Sequence, residues 1–357
     1  MKKNIFFKTL VVFACMFSVL NANAARPIWL VGHACNSEQC LIDALADGAN
    51  GVEIDVNSDV GNCRVDWSIN HDSGYISPEA RKAKNTSEGR TGTRRYVSLE
   101  EYLNFAAMDK IAFLWLDIKT PDNNTVIGLV EHIHKILDKR YGDGTDYSSL
   151  GKVPYSIFFN FYHQDQLTVE YEGLSALKWY ASRLRPNEAL GLGREGSTNY
   201  KYSTETLENL EKVFADFPKE KHMMTNGYGW PYGPPYSWRS QISESLIKAK
   251  EWRDAGRYCH RTGTWTMEQP RHGLQVIISG DISYHTSWLC ECDVVLMECR
   301  NEFFPAMSGL PGFNRNSLHD FVEWFFKEGC WRDYNNGRYY LARPLTSPDG
   351  DVCFREW

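Results

Sequence analysis

The chain has 357 residues, enough at ~100 to 200 residues per domain for two domains or one large barrel. Hydrophobic residues make up 43% and charged residues 24%, with 14 Pro and 27 Gly, which excludes disordered and collagen-like chains. Lys and Arg number 39 against 45 Asp and Glu, and the net charge of −6 carries no electrostatic footprint for a nucleic-acid partner.

Residues 1–24 combine Lys2, Lys3 and Lys8, an apolar run from Leu10 to Leu20 and the small-x-small triplet Ala22-Asn23-Ala24, the pattern of a signal peptide cut after Ala24. About a dozen apolar residues follow Lys8 where a membrane span needs ~20, which argues against an anchor. Val12-Phe13-Ala14-Cys15 makes a poor lipoprotein signal, because Phe13 is bulky where a small residue is wanted. The expected product is a secreted chain, extracellular or periplasmic. Losing the leader removes three Lys and no acid, so the mature charge is −9. Its nine Cys (Cys35, Cys40, Cys63, Cys259, Cys290, Cys292, Cys299, Cys330 and Cys353) are expected as disulfide partners in an oxidising compartment, with one left over. Zinc ranks behind, since Cys290-x-Cys292 lacks the paired C-x-x-C spacing of structural sites.

Eight short apolar runs follow as strand candidates: Ile28–Val31, Gly51–Val56, Ile111–Ile118, Tyr155–Phe161, Ala189–Leu192, His222–Thr225, Gly263–Met267 and Asp293–Met297. Amphipathic stretches lie between them at Glu38–Asp47, Leu99–Met108, Val126–Lys139, Thr204–Phe217 and Ile242–Trp252, with Leu318–Lys327 after the last. The alternation predicts an α/β fold, a single (β/α)8 TIM barrel over residues 25–329 with catalytic residues at the C-terminal strand ends. A doubly wound sheet is the alternative, but no G-x-G-x-x-G follows the first strand. Ser73–Arg95 and the aromatic Tyr228–Trp238 are expected as long loops over the barrel mouth. The tail from 330 to 357, rich in Arg, Tyr and Trp, matches no barrel element.

The chemistry concentrates in the first strands. Glu53 and Asp55, two apart in GVEIDV, point to one side of a strand while Val52, Ile54 and Val56 point to the other. Asp117 ends another apolar strand in FLWLDIKT, and Lys119 follows at the same period. Buried carboxylates repel one another and resist desolvation unless neutralised, so a hard cation such as Mg²⁺ is a natural occupant. The competing reading is an internal salt-bridge network in which Lys119 satisfies the acids alone. His33, after Gly32, ends the first strand, and His71 ends the run from Arg64 to Asn70. Each alone reads as a structural histidine; together, beside three carboxylates, they suit acid–base cleavage of a phosphodiester.

These motifs carry a family resemblance. RPIWLVGHACN, DGANGVEIDV, INHD and WLDIKT occur in the order and spacing of the sphingomyelinase D/phospholipase D toxins of spider venoms and their bacterial and fungal relatives, within the glycerophosphodiester phosphodiesterase-like barrels. The resemblance is strong over residues 26–119 and weaker from 150 to 300. It implies Glu53, Asp55 and Asp117 as Mg²⁺ ligands, His33 and His71 as the acid–base pair, Lys119 as a phosphate contact and Trp265, in TWTMEQ, as a head-group contact. It implies a phospholipid or lysophospholipid substrate met at a membrane surface, and a lipid hydroxyl as attacker, giving cyclic phosphate and choline. The sequence departs from the family in four places, one of them the fungal and bacterial relatives' C-terminal tail motif, which is not recognisable at the Trp357 end. Ser73–Arg95 holds no Cys for the family's short disulfide loop, the asparagine expected after the last strand is replaced near Glu298 and Cys299, and Gly263 or Thr264 stands where an aromatic is expected. A glycerophosphodiesterase is the second reading, with Glu79 or Glu88 as its extra acidic ligand. A non-catalytic lipid or carbohydrate binder using the Tyr228–Trp238 loop is the third. Nothing in the sequence sets an oligomeric state.

Overall fold

The computed structural model describes residues 26–58, 67–70, 75–87, 95–119, 123–142, 153–161, 167, 170–171, 174–192, 204–227, 236–257, 259–267, 293–298 and 339–341. All eight predicted strands form: β1 (Arg26–His33), β2 (Gly51–Ser58), β3 (Phe113–Ile118), β4 (Ser156–Phe161), β5 (Glu188–Leu192), β6 (Met223–Gly227), β7 (Arg261–Met267) and β8 (Val294–Glu298). Runs such as FLWLDI and SIFFNF are covered on both faces, as strands of a parallel barrel must be. The sheet runs in the order β6-β7-β8-β1-β2-β3-β4-β5 with every neighbouring pair parallel. A single parallel bridge, Leu190 to His222, joins β5 to the start of β6 and closes the barrel. Gly191 sits at that seam because a Cβ there would lie 2.1 Å from the Met223 carbonyl oxygen.

The helices are α1 (Glu38–Ala46), α2 (Pro78–Ser87), α3 (Leu99–Leu103), α4 (Asn123–Tyr141), α5 (Ala176–Arg183), α6 (Thr204–Val213) and α7 (Tyr236–Asp254). Ser37, Ser98 and Ser175 cap α1, α3 and α5, each accepting a backbone N–H of the first turn on its hydroxyl. None of the described helices is long and apolar enough to cross a membrane. Strand parity divides the core in two. Val52, Ile54, Val56, Leu114, Leu116 and Phe159 face outward into the helical layer. Trp29, Phe113, Trp115 and Phe158 block the barrel interior, with Trp29 and Phe113 centroids 5.5 Å apart and Trp115 edge-on to Phe158 at 4.9 Å.

Several expectations need correction. Ser73–Arg95 is not all loop: α2 lies within it, tied down where Arg81 donates to the Ile76 carbonyl (2.8 Å) and Asn85 brackets the Tyr96 backbone. Tyr236–Trp238 belong to α7 rather than to a mouth loop. The tail does touch the sheet, since Tyr339–Leu341 pair in parallel with Arg26–Ile28 at the start of β1. A short antiparallel arm, Trp67–Ile69, runs along β2 and is itself flanked by Val97–Ser98. Cys35, Cys40 and Cys259 are buried, and no disulfide joins these three to one another. Cys35 and Cys40 point at the His33 and Ala34 carbonyls (3.8 and 3.9 Å). Six cysteines, the leader and Leu318–Lys327 lie outside the described residues.

The base of the barrel carries buried charges in pairs. Glu188 at the start of β5 meets His134 of α4 at 2.9 Å through both carboxylate oxygens and accepts the Arg185 N–H at 2.8 Å. Arg253 of α7 donates to Asp293 (2.9 Å) and Thr262 (3.0 Å), with both charged groups almost wholly buried. Arg253→Leu would strand a buried carboxylate and is expected to cost ~3–5 kcal/mol of stability in urea unfolding.

Candidate active site

The site is assembled by the C-terminal ends of β1 to β4. Parallel register sets Asp55 of β2 opposite Asp117 of β3, and Asp117 opposite Asn160 of β4. Glu53, one period below Asp55, shares its inward parity, so the three acids crowd the mouth just above the aromatic plug. One carboxylate oxygen from each of Glu53, Asp55 and Asp117 lies within 4.8 Å of the others. Glu53 and Asp55 are buried and Asp117 is partly so.

Each carboxylate is held by a specific donor. The loop after β1 turns at Ala34, whose φ of 49° lies in the left-handed region that an alanine rarely adopts. That turn aims the Ala34 N–H at Glu53 Oε2 (2.5 Å), and the Cys35 N–H follows onto the Glu53 carbonyl (2.8 Å). Tyr102 of α3 braces the loop by donating its hydroxyl to the Cys35 carbonyl (2.5 Å). Asn36 grips Asp55 at two points: Nδ2 donates to Oδ2 (2.7 Å), and Oδ1 accepts the Asp55 N–H (2.9 Å). Asn160 Nδ2 donates to Asp117 Oδ1 (3.2 Å). Lys119 lies between two acids, 3.1 Å from Asp55 Oδ1 and hydrogen-bonded to Asp117 Oδ2.

One lysine against three carboxylates leaves a formal −2, and the protonation energetics show the strain. Burial first, and then the Asp55 charge, push the Glu53 carboxyl well above its ordinary range. Burial works to lower Lys119, but Asp117, Asp55 and Glu53 together outweigh it and hold its ammonium well above the usual lysine value. Glu53 Oε1 is buried without a hydrogen-bond partner among the described residues. An orphaned carboxylate oxygen within a cluster of three acids suits a hard divalent cation. The internal salt-bridge reading accounts for Lys119 but not for that oxygen.

Of the residues singled out from sequence, the fold brings together Glu53, Asp55, Asp117, Lys119 and His33. His33 is partly exposed at the end of β1, with Nε2 3.9 Å from Glu53 Oε2. His71 lies outside the described residues; the chain just before it reaches the site at Asn70, whose N–H donates to the Asp55 carbonyl (3.1 Å). Trp265 is on β7 with Gly227 of β6 as its Cα partner, and its side chain lies outside the description. Glu79, weighed as an extra acidic ligand, is exposed on α2, and Glu88 lies outside the described residues. Asn36, Asn160 and the Ala34 amide were missed. An asparagine inside the apolar run SIFFNF was the available signal for Asn160.

Residues 23–276 match the family model described as Sphingomyelinase D/Phospholipase D. The barrel and its acidic mouth therefore sit in a chain that belongs to the sphingomyelinase D/phospholipase D family. A curated relative, a sphingomyelinase D of Arthroderma benhamiae, is 24% identical over 214 residues, 59% of this chain. The chain spans about half the length of that relative, the match covering 50% of it. Among solved structures, a glycerophosphodiester phosphodiesterase from Parabacteroides distasonis is similar over 77% of this chain and 94% of its own, at 16% identity and a TM-score of 0.43. A spore coat polysaccharide biosynthesis protein from Bacillus subtilis is similar over 93% of this chain and 76% of its own, at 9% identity and a TM-score of 0.46.

The raised Glu53 carboxyl gives a signed prediction. The folded chain keeps this proton to higher pH than the unfolded chain, whose carboxyl titrates near 4.5. The resulting stability is present below that pH and is lost as pH rises through the folded value. In urea titrations with EDTA, Glu53→Gln is expected to flatten the decline of stability with rising pH; an unchanged decline would refute the assignment.

Proposed function

We propose that the chain is a secreted, Mg²⁺-dependent phosphodiesterase that cleaves the head-group phosphodiester of sphingomyelin or a lysophospholipid. The observation that carries this reading is the convergence of Glu53, Asp55, Asp117, Lys119 and His33 at the mouth of a barrel that belongs to this family. Glu53, Asp55 and Asp117 would hold the metal. A bound Mg²⁺ supplies positive charge against the charge that develops on the phosphoryl oxygens. Lys119, beside the acids, adds a second positive charge where a phosphate would enter.

His33 and His71 divide the proton work. One takes the proton of the attacking hydroxyl as its oxygen bonds phosphorus; the other gives a proton to the choline oxygen as the P–O bond to the head group breaks. When the attacker is a hydroxyl of the lipid itself, the products are a cyclic phosphate and choline; when it is water, a linear phosphate results. Trp265 would face the quaternary ammonium, a cation that aromatic rings bind well. The leader at residues 1–24 supports export, and contact with the lipid surface would be transient.

The test is choline release from sphingomyelin and from lysophosphatidylcholine, with and without EDTA, with ³¹P NMR distinguishing cyclic from linear product. Activity on at least one lipid, abolished by EDTA and restored by Mg²⁺, is expected. His33→Ala is expected to lower turnover by ~10²- to 10⁴-fold. Turnover of glycerophosphocholine alone would move the chain to the glycerophosphodiesterase reading, and no turnover of any of the three would sink the proposal.

A further inference from the structure

The hydrogen bonds around the three acids share a pattern. In each carboxylate one oxygen is tied to a protein donor: Glu53 Oε2 to the Ala34 N–H, Asp55 Oδ2 to Asn36 Nδ2, and Asp117 Oδ1 to Asn160 Nδ2. The other oxygens are Glu53 Oε1, which has no hydrogen-bond partner among the described residues, and Asp55 Oδ1 and Asp117 Oδ2, which both face Lys119. Asn36 and Asn160 are themselves buried, and Asn36 is locked by accepting the Asp55 N–H while it donates to the Asp55 side chain.

We infer that Asn36, with Asn160 in the parallel role, is a positioning residue that keeps the site's carboxylates monodentate, so that the site takes a small octahedral cation and discriminates against Ca²⁺. The inference rests on the metal reading above and names what fixes its selectivity. A carboxylate oxygen that already accepts a hydrogen bond is the weaker and less mobile donor to a metal, so each acid presents its other oxygen first. Three such ligands suit Mg²⁺, which demands near-octahedral geometry and keeps several waters, leaving room for phosphate oxygens. Ca²⁺ prefers about six to eight oxygens and often takes both oxygens of a carboxylate, a mode these tethers oppose. Freeing Asp55 Oδ2 would let Asp55 rotate and chelate the larger ion.

The experiment is isothermal titration calorimetry of the purified chain with MgCl₂ and with CaCl₂, for wild type, Asn36→Ala and Asn160→Ala, with near-ultraviolet circular dichroism confirming the fold. Wild type is expected to prefer Mg²⁺. In Asn36→Ala the Mg²⁺ affinity is expected to fall by roughly tenfold to a hundredfold, the usual effect of losing a partner of a metal ligand. Ca²⁺ affinity should hold or rise, so the Mg²⁺:Ca²⁺ preference collapses. Parallel loss of both affinities, the signature of a merely structural role, overturns the inference, as does an unchanged preference. If Asn36→Ala does not fold, Asn160→Ala reads the same preference through Asp117, and an unchanged preference there overturns it. Wild type that binds neither ion sinks the metal reading itself, whereas wild type that binds Mg²⁺ beside variants of unaltered preference sinks this inference alone.

Discussion

Three carboxylates held within a few ångströms of one another, above an apolar plug, form the constraint around which the upper half of this barrel is organised. Burial raises the free energy of each charge, and proximity raises it again. Every neighbouring element supplies something to offset this. β1 ends in a left-handed alanine so that a backbone N–H reaches Glu53, α3 sends Tyr102 to brace that turn, and β4 carries an asparagine where an apolar residue would otherwise fit. The aromatic plug also matters electrically. Trp29, Phe113, Trp115 and Phe158 keep water out from below, so the charges interact through a poorly screening medium and are solvated only from the mouth.

The two poles treat buried charge in opposite ways. At the base, Glu188 has His134 and a backbone N–H, and Arg253 has Asp293 and Thr262, so the ionic groups there meet their partners and act as fasteners between helix and strand. At the mouth, among the described residues, three acids share the Lys119 ammonium, with His33 beside Glu53, and Glu53 Oε1 has no hydrogen-bond partner. A fold under selection for stability alone would not leave that imbalance, because removing a buried carboxylate would relieve it. A cluster of buried acids gathered at the C-terminal face is what a functional site looks like in a barrel of this kind.

Much of this was legible in the sequence, for physical reasons. Strands of a parallel barrel are covered on both sides and read as short apolar runs, so all eight could be found. The parity of Glu53 and Asp55 within one such run announced a charged inner face. What stayed hidden depended on contacts between distant segments. Asn36 and Asn160 look like loop and strand polar residues until the register brings them to Asp55 and Asp117. α2 lacks an apolar stripe, since Arg81 is its one buried residue, and so its segment read as loop. The tail strand is three residues long, and its pairing with Arg26–Ile28 joins opposite ends of the chain. The cysteines carried less, because their count speaks to compartment and not to pairing, and Cys35, Cys40 and Cys259 are packed as small buried side chains.

Lys119 shows how one residue can serve both readings of the cluster. Its N–H pairs with the Val56 carbonyl (3.0 Å), which keeps the ladder between β2 and β3 intact one residue beyond β3 and fixes where its side chain starts. From there the ammonium reaches Asp55 and Asp117 together. A phosphodiester carries a negative charge, which an acidic mouth repels; in the proposed reaction a divalent cation held by the acids would offset that charge and free the lysine to meet the incoming phosphate. Electrostatics therefore couples cation and substrate in the proposed reaction, each favouring the other through shared charge. The acidic character of the whole chain, which at first argues against a phosphate ligand, would in that reaction be locally the means of recruiting the cation that such a ligand needs.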